Sequence, residues 1–515
     1  LSSPASERAS YDISTTERWL ITSSVCVGSI ATILTATIMN VAVPSVMGTF
    51  GVGQDKAQWV STAFLAATTL AMLANDWSVR RIGARSTYIG ALIIFIAGSL
   101  LAGTATTFDV LILGRIMQGF AGGIAQPLAM MTMFQIYPPE ARGRAMGLFG
   151  LVIILAPAVG PWVGGVTVDE LGWRYTFFLP IPIALISIAL ASLFLKGRNP
   201  NIQVPRFDLI GFTLITVAVI SLLVALTNGS EQGWSSDTIL ELFIAAAVSL
   251  VAFVFWELRT PDPLMRVEMF AIPRFAAANF VSFMFGAAIF AAIYLVPLFV
   301  QLVQGYSPTE AGLLQFPAGI AMAIFFPIAG RLADFGRENW LTTFGLILSA
   351  YAAFLMVGAH TNTPFFDFAL WMVISRIGLS FIFPPLSTAS LSVLPPDYVG
   401  QGSGTMNFTR TIGGAFGVNI TAIFVDYRAA VYRDAMTAMQ HDGNSTTLEL
   451  INELRTMWPG MGFPENIGEP LSHLFIGQAI IRQAEMLAFR DGFLLLALGV
   501  ASAIIPAIFI KKPGA

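Results

Sequence analysis

Two arginines set inside long apolar runs are the first chemical feature of this 515-residue sequence. Arg115 stands in Leu111-Ile-Leu-Gly-Arg115-Ile-Met-Gln118-Gly119-Phe-Ala-Gly122-Gly123, and Arg376 stands in the run that follows Asp367. A guanidinium surrounded by apolar residues is expensive in lipid, so it must face an interior partner or snorkel to the nearer surface. Both readings stand for Arg115, which lies about two turns from the end of its run. Unpaired in a cavity, such a group attracts a carboxylate or phosphate. Asn40, Gln118, Gln126, Gln315 and Asn407 add neutral hydrogen-bonding groups. Asn407 and Arg410 share the glycine-rich stretch Gly400-Gln-Gly-Ser-Gly404-Thr-Met-Asn407-Phe-Thr-Arg410-Thr-Ile-Gly413-Gly414. Phe283, Phe285, Phe290 and Tyr294 offer an apolar wall, or plain packing. Acids keep to the run ends: Asp109, Asp367 and Glu310 at one side, Asp76 and Asp334 at the other. Cys26 is the single cysteine, and His360, His441 and His473 are scattered, so no metal site or disulfide is expected. The sequence shows no nucleophile–base set, which makes a membrane enzyme the least favoured class. It also has no basic run, so no nucleic-acid partner is expected.

The elements that position these residues are membrane spans. Hydrophobic residues make up 56 % of the chain and charged residues 11 %, whereas a soluble domain carries about a quarter charged residues. The solvent for most of this surface is therefore lipid. A crossing takes about 20 residues of helix, and long unbroken apolar runs favour helices over the alternating strands of a barrel. The runs predict spans near 20–44, 57–78, 86–107, 109–136, 144–168, 174–196, 208–228, 238–258, 275–303, 309–333, 340–360, 368–394, 401–425 and 491–511. Residues 1–19 read as a cytoplasmic tail without the pattern of a cleaved signal. Arginines and lysines gather in alternate loops: Arg80, Arg81 and Arg85; Arg142 and Arg144; Lys196, Arg198 and Arg206; Arg259, Arg266 and Arg274; Arg331 and Arg337. With fourteen spans these loops and both termini share the cytoplasmic side. The segment 426–490 is then an extracytoplasmic loop, with helical character from Asp426 to Gln440.

The two halves of the chain echo each other. Asp76-Trp-Ser-Val-Arg80-Arg81-Ile-Gly83-Ala-Arg85 is answered by Gly330-Arg-Leu-Ala-Asp334-Phe-Gly336-Arg337. Asp109, Arg115 and Pro138-Pro139-Glu140 are answered by Asp367, Arg376 and Pro395-Pro396-Asp397. The offset is about 255–260 residues, the length of about eight spans with their loops. An even number keeps both copies in one orientation, so the expected architecture is two parallel six-helix halves, 20–196 and 275–511, with two helices inserted in 197–274. A further motif, Pro157-Ala-Val-Gly160-Pro161-Trp-Val-Gly164-Gly165, combines close-packing glycines with prolines that free a carbonyl and bend the helix. It predicts a hinge with a tight contact between the halves.

These motifs resemble the fourteen-helix drug:proton antiporter (DHA2) family of the major facilitator superfamily, EmrB/QacA type, from about residue 20 to residue 511. The loop after span 2 resembles the superfamily signature GxLaDrxGrr, with Gly83, Arg81 and Arg85 matching, Asp76 at the first glycine and Arg80 at the acid. The second copy keeps Gly330, Asp334 and Gly336, one residue short. Span 4 resembles the RxxqG motif, whose arginine the family associates with proton transfer. Span 5 resembles the antiporter motif GPxxGG, which implies export. The family's span 1 reads L-D-x-T-I-x-N-V-A-x-P, and here the aspartate is replaced by Thr35, which carries no proton near neutral pH. Either Asp109 or Asp367 then takes that role through Arg115 or Arg376, or the coupling differs.

The resemblance implies an all-α membrane protein of the major facilitator fold in a bacterial inner membrane. It implies alternating access driven by a proton gradient with no bound cofactor. The partners implied are the lipid bilayer, a small amphiphilic substrate and, as in some relatives, a periplasmic adaptor with an outer-membrane channel. Export of hydrophobic or amphiphilic compounds is the leading expectation. An exporter of an anionic lipid-like or siderophore-like product, and a non-transporting membrane sensor, are the alternatives.

Overall fold

The computed structural model describes residues 14–57, 59–198, 206–440 and 444–510. The side chains of Asn40, Pro157 and Pro161 fall outside the described residues. Regular structure among the described residues is helical throughout. The first group of long helices is α1 Thr15–Phe50, α2 Trp59–Ile82, α3 Ala84–Gly103, α4 Phe108–Ile136, α5 Arg142–Leu171 and α6 Pro180–Phe194. Next come α7 Leu209–Gln232 and α8 Asp237–Glu257. The last group is α9 Pro273–Leu302, α10 Pro308–Ala333, α11 Glu338–Met356, α12 Phe365–Ser380 with its continuation Phe383–Ser392, α13 Val399–Ala438, α14 Ser445–Gly460 and α15 Gly468–Ser502.

Twelve of these elements are long and apolar enough to cross a bilayer. The remaining two expected spans, α2 and α5, lie alongside helices that meet that measure. A side chain at Gly119 or Gly123 of α4 would run into the backbone of α2 at Phe64 and Thr68, so α2 shares the depth of α4. Gly160 and Gly164 of α5 are likewise seated on Thr37 and Ile38 of α1. The fourteen-span count is compatible with this packing.

Local chemistry sets the ends. Ser14 accepts from the Glu17 amide at 3.1 Å and starts α1 five residues earlier than hydropathy suggests. Thr107 caps α4, and Ser307 with Glu310 forms a reciprocal capping box on α10; a cap of this kind contributes about 1 kcal/mol. The two motif loops turn on glycines in the left-handed region, Gly83 at φ 88 and Gly336 at φ 75. At Gly83 a side chain would also press on the Arg198 backbone.

The segment 426–490 is largely helical, beginning with the stretch from Asp426 where helical character is expected. No proline or glycine falls between residues 418 and 442, so α13 continues for 40 residues in all, about 60 Å and twice the membrane core. Arg428 on α13 pairs with Asp491 on α15 at 2.5 Å, and Tyr432 donates to the same carboxylate at 2.9 Å. Trp458 of α14 donates to Ser472 of α15 at 3.0 Å.

Within the first group α1 packs on α5 and α6, and α4 on α2 and α3. The last group repeats the plan, with α9 and α15 on α13 and α10 and α11 on α12. The seam between the groups is made chiefly by two pairs, α5 with α10 and α2 with α13, flanked by α13 on α4 and the continuation of α12 on α5. Each pair becomes the other when the halves are exchanged. The inserted helices pack on each other and lean on α2 and α13. Asp208 caps α7 and accepts from Trp256 of α8 at 2.9 and 3.0 Å.

Candidate functional site

Three places carry the candidate residues: a latch at one end of the bundle, a buried arginine in the first half, and the seam. The latch end is where α2, α4 and α10 finish and α5 and α13 begin, and it holds the arginine-rich loops. It is called the basic end below. Asp334, just past α10, accepts from the Gly143 amide at 2.6 Å and pairs with Arg144 at 2.9 Å. Its carboxylate thus sits on the first turn of α5, where the helix dipole favours negative charge. A side chain at Gly143 would collide with the Gly330 carbonyl, and one at Gly330 would reach the Gly143 carbonyl at 2.5 Å. The two backbones therefore touch.

The first copy builds the mirror arrangement from a different residue. Asp76 is 7 % exposed and pairs with Arg80 at 2.8 Å. It lies against Gly400 in the first turn of α13, leaving no room there for a side chain. Arg80 goes on to donate to the Asp397 carbonyl of the other half. So the carboxylate moved one turn up the helix, and an arginine fills the usual acid position. Arg81 is exposed. Arg85 donates to the Leu195 carbonyl at 2.8 Å and ties the turn to the end of α6. The latch residues on the receiving side, Gly143, Arg144 and Gly400, had no signal beyond glycine and arginine in a helix start.

Arg115 is fully buried and does not snorkel. Its Nε donates to the Val60 carbonyl at 2.9 Å, and Nη1 donates to Gln118 Oε1 at 3.0 Å and to the Thr35 carbonyl at 3.5 Å. The guanidinium lies 4.2 Å from the centre of the Phe64 ring, and Gln118 donates onward to Ser99 at 2.8 Å. One cation thus binds α1, α2 and α3 to α4. Thr35 turns its hydroxyl back to the Ala31 carbonyl at 2.8 Å and offers Arg115 only its backbone oxygen. Asp109 and Asp367 are exposed at the far end. The structure does not bring Asp109 to Arg115, and Arg376 is buried with no ion pair among the described residues.

At the seam α13 meets α4 and α2. Ser403 donates to the Pro127 carbonyl at 3.2 Å, and the Asn407 amide approaches Met130 Sδ at 3.1 Å. Arg410 Nη2 reaches Gln126 at 3.5 Å, and its guanidinium stands 5.2 Å from the Phe383 ring centre. Gly404 lies on the Met72 carbonyl, 2.7 Å from where a Cβ would stand.

One expectation is corrected, and one pair of alternatives is decided. Gly160 and Gly164 pack within the first half, on Thr37 and Ile38, and Gly165 faces open space; the contact between halves is made lower on α5, by Gly143, Gly147 and Gly150 against Gly330 and Phe326. The four aromatics form no common wall. Phe285 is core beside Phe383, Phe283 packs on Phe416, and Phe290 covers Gly414.

Residues 25–418 match the Major Facilitator Superfamily domain. The chain belongs to the major facilitator superfamily. Among its relatives, the multidrug export protein EmrB of Escherichia coli (strain K12) is 29 % identical over 96 % of this chain and 95 % of its own length. The probable multidrug resistance protein EmrY of the same strain is 30 % identical, covering 82 % of each. The major facilitator proton:xylose symporter XylE superposes with a TM-score of 0.59 at 15 % identity, over 94 % of this chain and 95 % of that one; that likeness shows the fold. The paired latches, exchanged between halves, are what a parallel repeat of this superfamily produces when one end of the bundle is shut.

Proposed function

We propose that this chain exports hydrophobic or amphiphilic compounds across a bacterial inner membrane by alternating access, with both termini cytoplasmic and a proton gradient as the driving force. The observation that carries the reading is the double latch. Two carboxylates, Asp334 and Asp76, each rest on the first turn of a helix in the opposite half. Both contacts lie at the basic end, and both are broken by one rocking movement of the halves. The names of EmrB and EmrY support export over uptake. The positive-inside rule puts the basic end in the cytoplasm, so the conformation described is the one that faces outward.

Coupling differs in detail from a carboxylate in helix 1. Arg115 is held by two carbonyls and an amide oxygen with no carboxylate among its hydrogen-bond partners, and Thr35 supplies no titrating group. The protons are therefore taken at carboxylates nearer the helix ends. The helical projection of α13, α14 and α15 is the surface we assign to a periplasmic adaptor, and through it to an outer-membrane channel.

The test is a flux assay on the purified chain in proteoliposomes, with fluorescent amphiphiles and an imposed pH gradient. Gradient-dependent movement of amphiphile is expected. Absence of flux for every amphiphile, with or without the gradient, overturns the reading in favour of a non-transporting protein.

A further inference from the structure

We propose that Arg410 is the counter-ion for the acidic group of the cargo, which makes the cargo class amphiphilic organic anions. The inference deepens the export reading and rests on it.

Of the three buried arginines, Arg410 is the one that faces the other half. Arg115 turns to three acceptors inside the first half, where its remaining nitrogen Nη2 is also buried and unpartnered, and Arg376 has no described contact across the seam. Arg410 lies about 16 Å along α13 from its start, near the middle of a core about 30 Å thick. It is 5 % exposed. One of its terminal nitrogens, Nη1, is buried without a hydrogen-bond partner, and the other holds Gln126 at a long 3.5 Å. Along these two helices the nearest acids are Asp426 on α13 and Asp109 on α4, each about 25 Å away along the axis; Asp76 of α2, seated at Gly400 about 15 Å toward the basic end, is paired with Arg80. One turn below, Asn407 Oδ1 is also buried and unpartnered.

A guanidinium in this position is costly until an anion completes it. A carboxylate, sulfonate or phosphate monoester fits the planar fork and makes charge-assisted hydrogen bonds. Asn407 Oδ1 accepts from a neutral O–H or N–H on the same ligand, and Phe383, Met130 and Met72, buried around the pair in this closed seam, part to receive its apolar body when the halves rock. The place suits a cycle. Ser403–Pro127 and Gly404–Met72 close the seam on the basic side, and of the hydrogen bonds between α4 and α13 among the described residues Arg410–Gln126 lies furthest from that end. Gln126 is a neutral, loosely held acceptor. It takes the arginine after release and yields it when the next anion arrives.

The experiment uses the full chain in proteoliposomes and three matched probes: pyrenebutyrate, its methyl ester, and a pyrenylbutyl trimethylammonium. Wild type is expected to bind and move the anion with about tenfold or greater preference over the ester. Arg410→Gln is expected to weaken anion binding about 10- to 100-fold and to leave the ester within about twofold, and Arg410→Lys to recover most of the loss. Because a neutral variant at a buried site risks misfolding, Gln126→Glu gives a second reading. It places an internal carboxylate within reach of Arg410 and is expected to displace the anion while the protein stays folded. Unchanged anion binding in both Arg410→Gln and Gln126→Glu overturns the proposal. So does a wild-type preference for the ester or the cation, which leaves export standing. If none of the three probes moves, the export reading fails and takes this inference with it.

Discussion

Arg115 illustrates what an ion in a membrane interior can be for. It has no carboxylate partner, yet four helices converge on it through carbonyl and amide acceptors. Its fork matters more than its charge, because one planar group reaches acceptors on two neighbouring helices and on its own at fixed angles. Arg115→Ala is expected to leave those acceptors unpaired and a cavity beside Phe64, at a cost of about 3 kcal/mol. Arg115→Lys keeps the charge and loses the bridging. Both are expected to lower the melting midpoint of the purified protein, Ala more than Lys, and to cut flux at least about tenfold. A lysine variant that melts and transports like wild type would show that charge alone suffices.

At the scale of elements, glycine decides which helices touch. Gly119 and Gly123 put α4 on the backbone of α2, Gly160 and Gly164 put α5 on α1, and Gly143 and Gly147 put α5 on α10. Lipid supplies no hydrophobic drive between helices, so close backbone approach is the main source of their adhesion. Gly164→Leu is expected to wedge α1 from α5, since a Cβ there already stands 3.0 Å from the Ile38 carbonyl, costing about 1–3 kcal/mol. The check is export in vesicles alongside the yield of folded protein. Normal export by that variant would argue against close packing of these two helices during the cycle. The glycine motif was legible in the sequence as a close-packing surface. Its neighbour was not, because a helix with glycines on several faces presents several surfaces of equal promise.

For the whole molecule, the two latches are one device. Each joins a carboxylate of one half to a helix start of the other, and the same movement opens both. Arg144 is 55 % exposed, so Asp334→Asn is expected to cost the closed state only about 1 kcal/mol, about a fivefold shift toward opening. Asp76→Asn is expected to act similarly through Gly400 and Arg80. The sites share no residue, so the double variant is expected to add to about 2 kcal/mol, about 30-fold. Distances between spin labels across the basic end of each variant measure these populations, after replacement of the single native thiol, Cys26. A double variant no more open than either single one would mean that the latches do not open together.

By itself the sequence determined the solvent, the helices and the repeat. Apolar runs of bilayer length have one stable solution in lipid, and motifs recurring about eight spans apart fix two halves of like orientation. It also marked Arg115 and Arg376 as ions in need of partners. What those partners are was left to the tertiary structure. Arg115 is held by backbone carbonyls, which every residue carries and no sequence distinguishes. Asp76 stands at the position of a lost glycine, a swap legible in the sequence, but that it rests on Gly400 of the other half is known only from the packing. The polar stretch after residue 425 stays helical because nothing in it breaks a helix, as its sequence indicated, but its pairing with α15 through Arg428 and Asp491 is a tertiary fact. Local energies choose helix or turn, and those are written in the chain. Which face meets which neighbour depends on the sum of many weak contacts across the seam, and that sum exists only once both halves are folded and closed.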